Sequence, residues 1–201
     1  MIETVSPIPI ENIYYLLCYA WNKLEEKDIV NIQGIDSTEL ADLFARVLIS
    51  GTTHLLKRGF DRGYIQFDED IKRIRGKVNF SESNKRFLLQ KAQANCSFSD
   101  LSYDVIHNRI LKSTMLKLMR VRNLNKELRK MLIGLSRHLE EVTEIKVTRS
   151  AFRKVQLHRN NYFYDFLLKI CELINENILI SEEEGKYKFR DFFREEKAMA
   201  R

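Results

Sequence analysis

The sequence predicts an α+β fold, mostly helical, with a small antiparallel strand region, a hairpin, in the N-terminal half. Apolar residues recur at helical spacing over several long stretches, whereas alternation of apolar and polar residues is concentrated in the span from Tyr64 to Ser99. With 7 Gly and 2 Pro in 201 residues there is little room for long linkers between these elements.

The first expected helix, Pro7 to Leu24 (PIPIENIYYLLCYAWNKL), carries the single Trp and three of the eight Tyr. Ile13, Leu16, Leu17, Ala20 and Leu24 form one stripe, and Tyr14, Cys18 and Trp21 form a second beside it, so the helix is apolar over most of its circumference. It is therefore either buried between two layers or keeps one face for a partner. Asp36 and Glu39 have capping-box spacing ahead of a second helix through Leu40, Leu43, Phe44, Val47, Leu48 and Leu55, reaching about Lys57. Gly59 and Gly63 break that pattern. Tyr64 to Phe67 and Ile71 to Phe80 then read as two strands joined by an acidic turn of Asp68, Glu69 and Asp70.

Ser81 is the expected cap of a short helix to about Lys91, and Asn95 to Ser99 alternates like a further strand. A long helix capped by Ser102 follows through Val105, Ile110, Met115, Leu118 and Val121, and Asn125 opens another through Leu128, Met131, Leu132 and Leu135. Their short connection favours antiparallel neighbours. Residues 140–156 are less regular, after which Tyr164 to Ile178 is a buried helix. Lys186 to Arg201 begins strand-like at Tyr187 and Phe189 and turns into a charged helix start.

Composition narrows the function classes. Charged residues at 31% and hydrophobic residues at 44% describe a globular chain, not a disordered one. Cys18, Cys96 and Cys171 are odd in number and never form a CxxC pair, so neither a disulfide framework nor a zinc site is suggested and a reducing, cytoplasmic setting is expected. The first ten residues lack a basic n-region and the apolar run Ile13 to Trp21 falls well short of the roughly 20 residues that span a bilayer, so no export or membrane segment is expected.

The net charge of +6 permits contact with nucleic acid or with an acidic protein surface. Its distribution is more telling. Ile71 to Phe80 (IKRIRGKVNF) holds Lys72, Arg73, Arg75 and Lys77 with no acid, and Lys112 to Lys130 is a second run of cations along helical sequence. The first reads either as a binding edge or as a solvated strand edge protected from aggregation. The second reads as a solvated helix face or as a phosphate-contacting surface.

Familiar catalytic patterns are missing. The chain has no P-loop, no dinucleotide-binding glycine fingerprint and no paired histidines; His54, His107, His138 and His158 are scattered. An acidic residue two before Lys recurs along the chain, as at Asp70, Glu144, Glu184 and Glu195, a frequency expected by chance in so charged a chain. Asn108 and Arg109 form a polar pair interrupting an apolar helix, either for function or for internal hydrogen bonding.

Four segments in chain order resemble the McrC subunit of McrBC-type restriction systems, which cut DNA bearing modified cytosine. They are IPIENIYYLLCYAW near the start, IRGKVNF at Ile74 to Phe80, FSDLSYDVIHNRILKSTM at Phe98 to Met115, and YKFRDFFREEKAM at Tyr187 to Met199. The resemblance implies a subunit that docks on a McrB-type ring-forming AAA+ GTPase, stimulates its GTP hydrolysis and reaches DNA through the complex. It implies a mixed α/β partner-docking region with a basic hairpin over residues 1–100, and a helical region over 101–201 leading toward a nuclease domain. That domain's metal-binding carboxylates and Lys have no counterpart here, so no catalytic or metal-binding residue is assigned. GTP and Mg would belong to the partner. The expected contact residues are Lys72, Arg73, Arg75 and Lys77. A stand-alone basic DNA-binding module and an inactive remnant are the alternatives.

Overall fold

The computed structural model describes residues 40–180 and 187–189, together with Asn12, Tyr15, Leu16 and Tyr19. The chain divides into two compact units, Asp61–Val105 and the segments on either side of it. The α+β class holds, with most described residues helical and the strands in two small antiparallel sheets.

The flanking unit is built on α1 (Leu40–Arg58), α3 (Ile106–Met119), α4 (Lys126–Arg137), the short α5 (Arg149–Arg153) and α6 (Phe163–Asn177). Helix α1 packs against α3, α4 and α6, and α3 packs against α4, α5 and α6. Each long helix contributes the stripe its periodicity announces. Leu43, Val47 and Leu48 of α1, Ile110, Leu111, Met115 and Leu118 of α3, Leu128 and Leu132 of α4, and Phe166, Leu167, Ile170 and Ile174 of α6 are all buried. Gly51 lets α1 and α6 approach closely, since a Cβ there would lie 2.3 Å from Leu167 Cδ2.

Helix α4 begins as expected at Asn125, whose side chain accepts from the Glu127 and Leu128 amides. The Asn125 N–H in turn donates to the buried Asp42 carboxylate of α1 at 2.9 Å, tying the starts of the two helices together. Strand β4 (Ile178–Ile180) continues from α6 and pairs with β5 (Tyr187–Phe189), the strand expected at that position. Of the N-terminal helix, Asn12, Tyr15, Leu16 and Tyr19 are helical and exposed. The rest of the expected N-terminal helix, the expected Asp36–Glu39 cap and the charged helix expected after Phe189 lie outside the described residues.

The Asp61–Val105 unit departs from the expected hairpin. Strand β1 (Gly63–Ile71) runs unbroken through Asp68, Glu69 and Asp70, and its antiparallel partner is β3 (Ala94–Ser102) along its whole length. Strand β2 (Lys77–Val78) pairs with the other edge of β3, giving the order β1-β3-β2. An acidic triplet sits in a strand here because β3 supplies side-chain donors: Ser97 Oγ donates to Asp68, and Asn95 Nδ2 donates to Asp70 at 2.7 Å. Helix α2 (Phe80–Lys85) is shorter than expected, and its N-cap is Asn79 instead of Ser81. Ser102 does not cap α3; its hydroxyl accepts from the Asp104 amide in the loop before it.

Leu132 has no exposed surface, while its neighbour Met131 is 52% exposed. Leu132→Ala should therefore lower unfolding free energy by about 2–5 kcal/mol, and Met131→Ala should change it by no more than about 0.5 kcal/mol. Denaturant titration followed by far-UV circular dichroism checks both.

Candidate functional site

The cations singled out by the sequence lie on the segment that leaves β1 and enters β2, and this segment has to cross β3. One face of the sheet carries Ile65, Phe67 and Ile71 opposite Asp100, Phe98 and Ala94, with the Phe67 and Phe98 rings stacked at 5.7 Å. Residues 72–76 pass over that face. Arg75 places its guanidinium 4.7 Å above the Phe98 ring and donates to Asp100 Oδ2 at 3.0 Å. Gly76 adopts φ +68°, and a Cβ there would lie 2.3 Å from the Ser97 carbonyl oxygen. Only glycine satisfies both the left-handed backbone and the contact.

Pinned at Arg75 and Gly76, the segment turns Lys72, Arg73, Ile74 and Lys77 to solvent. Lys72, Arg73 and Lys77 make no ion pair or hydrogen bond among the described residues. Arg75 is thus the structural member of the expected quartet, and the other three are available to a partner.

The second sheet face is a polar lattice. Asn79 Nδ2 donates to Asn95 Oδ1 at 2.8 Å and to Ser97 Oγ at 2.7 Å, and Arg86 donates to Asp70 at 3.2 Å. The hydrogen bond from Asn95, with the Arg86 guanidinium beside it, holds the Asp70 carboxyl below the ordinary carboxylate range. Asp100 is lowered by the Arg75 hydrogen bond and by the Leu101 amide, and Glu82 by Lys85.

The chain then makes a tight turn that sequence reasoning missed. Beyond α2, the Leu88 amide donates to the Ser83 carbonyl at 2.9 Å and the Phe87 amide to the Asn84 carbonyl at 3.1 Å, the paired bonds of a Schellman cap. Phe87 takes the left-handed position at φ 52° and is 64% exposed. Lys85-Arg86 running into Phe87-Leu88-Leu89 was the available signal, hidden because the segment reads as one helix.

Asn108 lies in the flanking unit, fully buried, and accepts from the Tyr164 hydroxyl at 2.7 Å; Arg109 beside it is half-buried. The Lys112–Lys130 run is largely consumed within the fold. Lys112 donates to the Glu140 and Val142 carbonyls, Lys117 to Asn175, and Arg129 to the Val121 carbonyl, while Arg120 pairs with Glu144 and Lys130 with Glu127. Burial lowers the pKa of Lys117. These contacts leave Arg122 and Lys126 of that run without an ionic partner among the described residues.

Cys96 and Cys171 are buried thiols, the latter pushed up to about 12 by burial. Asp70 and Glu144, each two before a Lys, are engaged with Arg86 and Arg120. Among the described residues no group of His, Cys, Asp and Glu is placed to hold a metal ion, and no helix is long and apolar enough to cross a membrane.

A helical unit with a buried apolar core and a small sheet unit that displays cations define an α+β protein whose exposed basic segment suits contact with another macromolecule. The chain belongs to the family described as McrBC 5-methylcytosine restriction system component, whose model matches residues 11–192. It is 33% identical over 193 residues to the Type IV methyl-directed restriction enzyme EcoKMcrBC of Escherichia coli (strain K12), covering 96% of this chain and 56% of that protein.

Its fold matches a chain in the cryo-EM structure of the Thermococcus gammatolerans McrBC complex with a TM-score of 0.66 and 22% identity, over 91% of this chain and 54% of that one. A second match, TM-score 0.63 and 21% identity over 82% and 40% of the two chains, is to a half-complex from a tetradecameric assembly of Thermococcus gammatolerans McrB AAA+ hexamers with bound McrC. The chain thus spans about half the length of these relatives.

Gly76→Ala combines a left-handed backbone strain of about 1–2 kcal/mol with a clash against β3 backbone. It should selectively loosen residues 61–105, seen as faster amide hydrogen exchange in β2 and β3. A second expectation concerns acid. Asp100 has a lowered pKa in the folded state, so the Arg75–Asp100 pair contributes fully above the ordinary carboxylate pKa and is lost as pH falls through the folded value. Protection factors in β3, with the intrinsic pH dependence of amide exchange removed, should fall on acidification through this range, and Asp100→Asn should flatten that dependence.

Proposed function

We propose that the chain is the McrC-like docking and regulatory part of a modified-cytosine restriction complex, binding a McrB-type AAA+ GTPase ring and stimulating its GTP hydrolysis. Family membership and the fold matches support the class. The observation that carries the mechanism is the β1–β2 crossing: Lys72, Arg73 and Lys77 are exposed without internal partners on a segment pinned by Arg75 and Gly76.

A cation held this way reaches a carboxylate or phosphate without first breaking an internal ion pair, and the pinned backbone limits the ordering cost. Arg73 has the planar, permanently charged donor fork that suits a carboxylate or phosphate, whereas Lys72 and Lys77 act as mobile point charges. Arg73 is therefore assigned the role of stabilising charge, directly or through a ring carboxylate, as trans-acting arginines do for other nucleotidases. Lys72 and Lys77 supply docking affinity. GTP and Mg are held by the ring, this chain carries no cofactor of its own, DNA is reached through the complex, and the setting is cytoplasmic.

Arg73→Ala should reduce the maximal GTPase stimulation at saturating chain by at least about 10-fold, a conservative bound beside the roughly 1,000-fold or more that a trans-acting arginine contributes. Lys72→Ala and Lys77→Ala should instead raise the concentration needed for half-maximal stimulation, by a factor that shrinks as salt rises. Stimulation unchanged in all three variants would remove this segment from the mechanism. Duplex DNA binding by the chain without the ring, with a steep salt dependence, would favour the DNA-binding alternative.

A further inference from the structure

The turn after α2 is built to hold an aromatic side chain away from the protein. Its backbone is fixed by the two Schellman hydrogen bonds, and Leu88, only 5% exposed, anchors it from below while its carbonyl accepts from the Lys91 and Gln93 amides. The position these bonds force into the left-handed region is the one helices usually give to glycine. Here it is phenylalanine, a bulky residue for which that conformation is a strained outlier. The strain is not offset by burial, because Phe87 is 64% exposed and makes no ring contact among the described residues.

The surroundings are equally specific. Ile74, Phe80 and Leu89 are 73%, 67% and 54% exposed. Residues 72–91 hold seven Lys and Arg against the single acid Glu82, an excess equal to the chain's whole net charge of +6. Arg75, Lys85 and Arg86 are paired internally, while Lys72, Arg73 and Lys77 are not, and Lys91 is near enough to Asp70 to help hold its pKa down.

We propose that Phe87, with Leu89 beside it, is the apolar anchor by which this unit seats in a carboxylate-rimmed apolar pocket on the GTPase ring. The inference rests on the function proposed above but adds a contact that charge does not supply. A rigid aromatic on a preordered turn gains apolar burial at small entropic cost, the usual composition of an interface hot spot. Protein is favoured over nucleic acid as the occupant because two of the four exposed apolar side chains, Ile74 and Leu89, are aliphatic and offer no face for base stacking.

The test uses the full chain and the assembled ring with a non-hydrolysable GTP analogue, comparing Phe87→Gly and Phe87→Ala with the unaltered protein. Phe87→Gly relieves the left-handed strain, so its Tm should equal or exceed that of the unaltered chain, whereas Phe87→Ala should not exceed Phe87→Gly. Both should weaken ring binding at least tenfold despite their different stabilities.

Ring binding at unaltered affinity by the two variants, while Arg73→Ala loses stimulation, would overturn the anchor and leave the proposed function standing. No ring binding by the unaltered chain would overturn both. Phe87-dependent binding of a single-stranded oligonucleotide, or Phe87-dependent self-association in sedimentation, would overturn the choice of occupant.

Discussion

Strand β3 is the constraint on which the display of the basic segment depends. It is paired on both edges, with β1 along its full length and with β2 at Ser97 and Cys96. Because β1 and β2 lie on opposite sides of it, the connection between them must climb over the sheet instead of turning back on itself. That passage is possible only where β3 and the crossing segment come within touching distance, which is why Gly76 presses on the Ser97 carbonyl and Arg75 lies over Phe98. The expected hairpin would instead have placed the same residues in its second strand, alternating between the two faces of the sheet.

The polar lattice on the opposite face serves the same end by different means. Asn79, Asn95 and Ser97 satisfy one another and reach Asp68 and Asp70, so carboxylates that would repel in a bare strand become acceptors within a connected network. Arg86, immediately after α2, closes it by pairing with Asp70. Internal pairing therefore sorts the cations of this unit into two groups: those that maintain the sheet and those that face outward. In the flanking unit the sorting goes further, and most of the Lys112–Lys130 run is spent on carbonyls and carboxylates of the same fold.

Charge and apolar surface then divide the work of recognition. Exposed lysines and arginines steer an encounter and respond to salt, but in water each contributes little affinity. A fixed aromatic contributes where water is excluded. The sheet unit offers both within residues 72–91, on backbone held by Gly76 and by the Schellman turn.

The helices of the flanking unit were legible because helical periodicity is local: the burial of Leu43, Ile110, Leu132 and Ile174 follows from spacing, and Asn125 announces its cap. The four-segment resemblance was equally a property of sequence, and it named the family. What sequence could not settle was which strand pairs with which. Asp68–Asp70 has the composition of a turn, and only donors on β3, about 25 to 29 residues further along the chain, make it a strand. The same holds for the site. Lys72, Arg73, Arg75 and Lys77 are indistinguishable as a charge run, and Phe87 reads as one more residue of a short helix. Distance to Asp100 set Arg75 apart, and a pair of backbone hydrogen bonds put Phe87 in the left-handed position. Composition and periodicity determined the elements and the family; long-range pairing, which has no local signature, decided which side chains are free to act.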